Sequence, residues 1–187
     1  MQDVDFVELT RYAKQFSQLT ESREAALKNA EEKIKPHIGQ VTDEFYAVLL
    51  TIDNAKPYLE GVLESLKKAH FNWLNSLFDG NYNEDYTKGM YHVGDVHVKV
   101  NLPVEFMAGS MSLISGEFMK LTAEVYADDP KTQLEVNGAI NAILGFSLMV
   151  MQESYQASSL ASELDKFLKI SGISRVLFNN MAKAYSI

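Results

Sequence analysis

The sequence predicts an all-α domain, and three observations carry that reading. Apolar residues recur at threes and fours through most of the chain, the alternating pattern of a half-buried strand is absent, and Pro, Gly and Asp punctuate the apolar stripes at helical lengths. The 187 residues, 47 % of them apolar, suffice for one buried core and fit one domain better than two.

The first stripe, Phe6, Val7, Leu9, Tyr12, Ala13 and Phe16, predicts a short leading helix from about Val4 to Phe16. Thr20 opens a second helix through the helix-forming run Ala25 to Ala30, and Pro36 ends or bends it. From about Ile38 to Ile52, Val41, Phe45, Val48 and Leu49 share one face, and Tyr46 lies beside it, where it can point into a pocket. After Asn54 and Pro57 a single helix is expected from Tyr58 to Phe78, with Leu59, Val62, Leu63, Leu66, Ala69, His70, Trp73 and Leu77 as its stripe. Asp79-Gly80-Asn81 is a stop and turn signal. The Tyr82–Val98 stretch that follows reads as a helix of weaker periodicity containing Gly89 and Gly94.

Pro103 fits the first turn of a long helix running to Tyr126 through Val104, Met107, Met111, Ile114, Phe118, Leu121 and Val125. Asp128-Asp129-Pro130 caps another, expected from Leu134 through Tyr155. These two helices pair naturally. Ala108, Gly109, Ser112, Ser115 and Gly116 on one, with Gly138, Ala142 and Gly145 on the other, permit close packing within the chain or a dimeric four-helix bundle; apolar residues on more than one side favour the dimer. Leu160 to Tyr185 reads as two short helices joined at Gly172. No repeat or low-complexity segment occurs.

The formal charge of −8 argues against non-specific binding to nucleic acid or to an acidic membrane, because phosphate contacts need a basic surface. The lack of cysteine excludes disulfides, thiolate metal sites and cysteine nucleophiles. The N-terminus has no basic region followed by an apolar run, so a cytoplasmic protein is expected. The longest apolar-rich run, Ala139 to Met151, is interrupted by Asn141, Gly145 and Ser147 and falls short of the ~20 residues of a membrane span, which makes it a buried helix.

Four histidines, His37, His70, His92 and His97, are the candidate ligands. His92 and His97 stand about 140° apart on a helix, which rules out the zinc pair formed by histidines four residues apart. Carboxylate pairs fall at helix caps and termini, and no nucleophile with a positioned base or phosphate-cradling glycine loop occurs. What the residues leave is an all-α domain with one well-placed histidine and a tyrosine about fifty residues earlier on an apolar helix, the minimum a haem pocket needs.

Phe45-Tyr46 followed by Leu49-Leu50, then Leu66 and Ala69 with Trp73, then Gly94, His97, Leu102 and Pro103, then Gly109, resembles the sensor globins over about residues 20 to 158. These are the haem domains of globin-coupled sensors and the related protoglobins, and the chain looks most similar to those of globin-coupled diguanylate cyclases. The resemblance implies a globin fold over residues 1–158 with an extra N-terminal helix, followed by a helical extension or linker over 159–187. It implies haem b, with His97 as the iron ligand, Tyr46 as the distal hydrogen-bond donor, Leu66 and Ala69 as the distal wall, and Phe45, Leu49 and Met107 among the cofactor contacts. It further implies O2, or CO or NO, binding at a pentacoordinate iron, a homodimer through the last two core helices, and an output domain or separate signalling partner. A binding domain, not an enzyme, is expected; the alternatives are an NO dioxygenase-like globin and a haem-free interaction module. Two departures stand out. Asn101 occupies a position where glycine is usual, a change of little consequence at negative φ, and Met107 replaces a tyrosine that in some members hydrogen-bonds near the proximal histidine.

Overall fold

The computed structural model describes residues 4–185, so the outermost ends of both expected segments, 1–3 and 186–187, lie outside it. It is 82 % helical, with no strand among the described residues. Helix α1 (Phe6–Ser17) is capped by the Asp5 carboxylate, and α2 (Glu21–Ile34) starts where Thr20 accepts from the Arg23 N–H. Pro36 sits in a 3-10 turn, Lys35–His37, that bends the chain into α3 (Ile38–Leu49).

The single helix expected from Tyr58 to Phe78 is two. A one-turn helix α4 (Lys56–Leu59) is followed by Glu60 in an extended conformation and Gly61 at φ 74°, and α5 (Leu63–Ser76) begins two residues later. The left-handed glycine interrupts the helix although Leu59, Val62 and Leu63 keep the apolar spacing across it.

Helix α6 (Glu84–Lys99) is continuous, its first turn held by Asn83 accepting from the N–H groups of Asp85 and Tyr86. Pro103 precedes α7 (Val104–Val125), and Asp129 caps α8 by accepting from the Thr132 N–H. Helix α8 (Pro130–Ser171) does not stop near Tyr155, because no glycine or proline interrupts it before Gly172. Residues 160–171, expected as a separate short helix, are thus its continuation. Gly172, at φ 73°, turns the chain into α9 (Arg175–Tyr185).

Helix α8 is the centre of the packing, with α6, α7, α2 and α1 laid against it. Ala139, Ile143, Phe146 and Val150 lie along its buried length. It is the one helix among the described residues long and apolar enough to cross a membrane, and more than half of that stretch is buried against the other helices. On the other side α3 bridges α5 and α7. Helices α5 and α6 therefore belong to different halves of the packing, α5 held by α3 and α6 by α8.

Candidate functional site

Between those halves, side chains of α3, α5 and α6 converge. Phe45 and Tyr46 are 1 % and 2 % exposed on α3, and the Tyr46 hydroxyl is hydrogen-bonded to Nδ1 of His70 on α5. The edge of the His70 ring meets Phe45 at 5.7 Å and Trp73 at 6.2 Å between centroids. Leu49, Leu63, Leu66, Met90 and Val93, on the same three helices or their flanks, are only partly buried where they pack against the core. About three turns along α6 from His97, Trp73 Nε1 donates to the Tyr86 hydroxyl at 3.2 Å, which in turn lies 2.8 Å from Ser147 Oγ of α8. This chain of bonds ties α5, α6 and α8 together.

His97, near the end of α6, has a buried Nδ1 with no hydrogen-bond partner. Burial, with the neighbouring His70 adding to it, pushes its imidazole down to about 4. Desolvation lowers His70 as well, against the opposing effect of the Leu66 carbonyl. Both rings are therefore neutral at physiological pH, the form that offers a lone pair to a metal. An unpartnered buried polar atom costs about 1–3 kcal/mol, which a ligand on the ring would offset. Two neighbouring neutral imidazoles, on α5 and α6 and flanked by apolar side chains, suit a flat metal-centred group better than a bare cation. No cluster of three or more His, Asp or Glu that could hold a metal ion by itself occurs among the described residues.

The family model for protoglobin matches residues 8–160. The chain belongs to the protoglobin family. The globin domain of the Geobacter sulfurreducens globin-coupled sensor superposes with a TM-score of 0.71 at 25 % identity, over 78 % of this chain and 96 % of that one. A search of curated proteins finds no match. The fold is thus a globin, with α1 ahead of the core and the end of α8 and α9 beyond the matched residues.

The other residues singled out in this protoglobin's sequence fall into three settings. Met107 is 3 % exposed on α7, while Leu66 is half-buried. Ala69 lies on the exposed flank of α5, so His70 holds the position between Leu66 and Trp73 on the buried face. His92 and His37 are exposed.

Asn101 has φ 54°, not the negative value under which its replacement of glycine would matter little. The reason is the way α6 ends. The Leu102 N–H returns to the His97 carbonyl at 2.9 Å and the Asn101 N–H to that of Val98 at 3.0 Å, a Schellman motif whose left-handed position is residue 101. His97 is thereby a member of the cap, and its backbone is fixed by the turn after it.

The sequence offered His70 both as a candidate ligand and as a member of an apolar stripe, with nothing to pair it with Tyr46. A polar imidazole midway between Leu66 and Trp73 was the available signal. Gly94 was read as a motif position in a helix of weaker periodicity, without a packing role; a Cβ there would lie 2.3 Å from the Met151 carbonyl oxygen, so glycine is what lets α6 lie against α8. The Tyr86 bridge to Trp73 and Ser147, and the bonds that Asp95 accepts from Ser154 and Ser158, join residues far apart in sequence and carried no local signal.

Proposed function

We propose that this protoglobin is a haem-based sensor of a diatomic gas. In this reading His97 would hold the haem iron, Tyr46 would supply the polar group for the bound gas, and Phe45, Leu49, Leu66, Ala69 and Met107 would contact the cofactor. The observation that carries it is His97: a neutral imidazole with an unpartnered buried nitrogen, facing a second element that carries the Tyr46–His70 pair. A haem held there would supply an iron able to bind O2, CO or NO. The chain's own residues do the rest. Burial raises the Tyr46 hydroxyl far above its ordinary titration range, so it remains a neutral O–H donor, and the surrounding leucines keep water away. The role is that of a binding domain, and its signal leaves through α7 and α8.

A specific observation adds a second reading for the gas-free state. In the tautomer whose Nδ1–H donates to the Tyr46 oxygen, His70 Nε2 keeps its lone pair. His70 would then offer a second donor to a bound haem, in place of the pentacoordinate iron the resemblance implies.

The dimer belongs to the same proposal. A recess of about 550 Å³ between α7 and α8 is lined by Ala108, Ser112, Ser115, Gly116 and Gly145, with Met119 55 % exposed beside it. Small residues around an open recess suit the approach of a second copy's helices.

Reconstitution with haem b tests the core of this reading. The wild type and His92→Ala are expected to show a Soret band that His97→Ala lacks, and the reverse pattern would overturn the assignment. A six-coordinate ferrous spectrum that becomes five-coordinate in His70→Leu supports the second donor; a five-coordinate wild type removes it.

A further inference from the structure

The strongest feature left over surrounds His97 without touching the cleft. Gly94 lies against the Met151 carbonyl of α8 with no room for a side chain. Next to it, Asp95 Oδ1 accepts from Ser154 Oγ at 2.7 Å and also from Ser158 Oγ. On the far side of His97, the Tyr155 hydroxyl donates to the Leu102 carbonyl at 3.1 Å. Met151, Ser154, Tyr155 and Ser158 occupy positions i, i+3, i+4 and i+7 of one face of α8. Thus the segment that carries His97 is fastened before and after the histidine to a single stretch of one helix. That stretch ends two residues before the protoglobin match does, and α8 continues unbroken to Ser171.

We propose that Asp95 is a positioning residue that couples His97 to the C-terminal extension, with Ser154 and Ser158 as its two stops on α8. This rests on the haem reading above. Both serines donate to the same carboxylate oxygen, and they stand one turn apart. The carboxylate is thus held at two points of one face of α8, and a displacement of α6 carries that face with it. Ser154 is wholly buried, so losing its bond would be costly and the fastening resists slippage. Gly94 makes the contact a backbone-to-backbone one, and the Tyr155–Leu102 bond prevents the cap from swinging free. A shift of His97 is therefore passed to residues 151–158 and not absorbed between the helices.

Beyond Ser158 the helix acts as a lever. At about 1.5 Å per residue, its remaining residues up to Ser171 extend about 20 Å, so a small tilt at the fastened stretch becomes a larger displacement at the end. There the extension presents Leu160, Phe167 and Ile170 at 69 %, 52 % and 88 % exposure, and after Gly172 the half-exposed Leu177 and Met181 of α9. These exposed apolar side chains are the surface whose position the fastening controls.

The test uses the full chain loaded with haem, carbon monoxide as the probe, and amide hydrogen exchange across residues 159–185. In the wild type, CO is expected to change exchange over 159–171 by about fivefold or more, the low end of an energetic coupling between sites. Asp95→Ala and the double variant Ser154→Ala/Ser158→Ala should bind CO with an intact Soret band, shift the iron–histidine stretching band, and lose the remote change. Asp95→Asn keeps an acceptor oxygen and should retain it. A remote change that persists in both the Asp95→Ala and the double serine variants, or an unchanged extension in the wild type with CO bound, overturns the coupling alone. A wild type that takes up no haem overturns the haem reading and the coupling with it.

Discussion

The hydroxyl of Tyr46 is hydrogen-bonded to Nδ1 of His70, so the two polar groups opposite His97 are committed to each other before any ligand arrives. In the proposed pocket a gas that needs a donor would turn to the Tyr46 O–H, whereas one that needs none would be indifferent to it. O2 bound to ferrous iron carries partial negative charge and CO carries little. At a net ~0.5–1.5 kcal/mol per hydrogen bond, Tyr46→Phe should raise the O2 dissociation rate by up to about tenfold and change CO dissociation less. Flash photolysis and stopped-flow mixing of the haem-loaded variants measure both. Equal changes for the two gases would remove Tyr46 as the donor.

The two histidines also set an acid limit on the haem-free fold. His97 is lowered from 6.5 to about 4 in the folded chain and His70 is lowered too, chiefly by burial. Below the ordinary value the unfolded chain takes up protons that the folded chain refuses, so unfolding is favoured as pH falls. The stability is complete above about pH 6.5 and is lost progressively toward pH 4. The thermal midpoint of the haem-free protein should therefore drop between about pH 7 and pH 5, a window that lies above most carboxylate titrations. His97→Leu should flatten that drop. An unchanged slope in His97→Leu would show that His97 is not held neutral by burial.

Helix positions were legible in this sequence wherever local chemistry decides them. Asp5, Thr20, Asn83 and Asp129 cap helices from their own side chains, and the apolar spacing of α3 and α7 matches the faces they bury. The failures were of another kind. Gly61 breaks a helix across which the apolar stripe continues, so periodicity could not reveal the interruption. Helix α8 leaves the core at the polar residues around Gln156 without a breaker, and the change of composition resembled an end. His97 and Tyr46 were singled out through their register with a family pattern. The pairing of His70 with Tyr46, and of Asp95 with two serines about sixty residues later, depends on the fold itself.

The recess between α7 and α8 separates folding from association at one residue. A Cβ at Gly116 meets nothing within 4 Å, so a larger side chain there points into the recess without striking the chain's own atoms. Glycine within a helix costs ~1 kcal/mol relative to alanine, so Gly116→Arg should leave the thermal midpoint unchanged or raise it slightly. The same guanidinium would occupy the space proposed for a second copy. Light scattering during size-exclusion chromatography is expected to show a dimer for the wild type and a monomer for Gly116→Arg. A wild type that is monomeric at all concentrations, or a variant that still dimerises, would contradict the proposed interface.

Asn101 bears on His97 through the backbone alone. It takes the left-handed position of the cap that closes α6, and its carbonyl accepts from the Tyr58 hydroxyl at 3.0 Å, so the turn cannot relax without losing bonds at both ends. Left-handed geometry costs an ordinary L-residue ~1–2 kcal/mol, asparagine less and glycine essentially nothing. Asn101→Ala should therefore destabilise the fold by ~1 kcal/mol, and Asn101→Gly should be neutral or stabilising. Urea unfolding of the haem-free protein measures this order directly. The haem-loaded protein gives a second reading, because Leu102 N–H bonds the His97 carbonyl and a loosened cap lets the histidine wander. The iron–histidine band should broaden in Asn101→Ala and stay sharp in Asn101→Gly. An alanine variant as stable as the wild type would mean that the cap adopts another closure and does not fix His97.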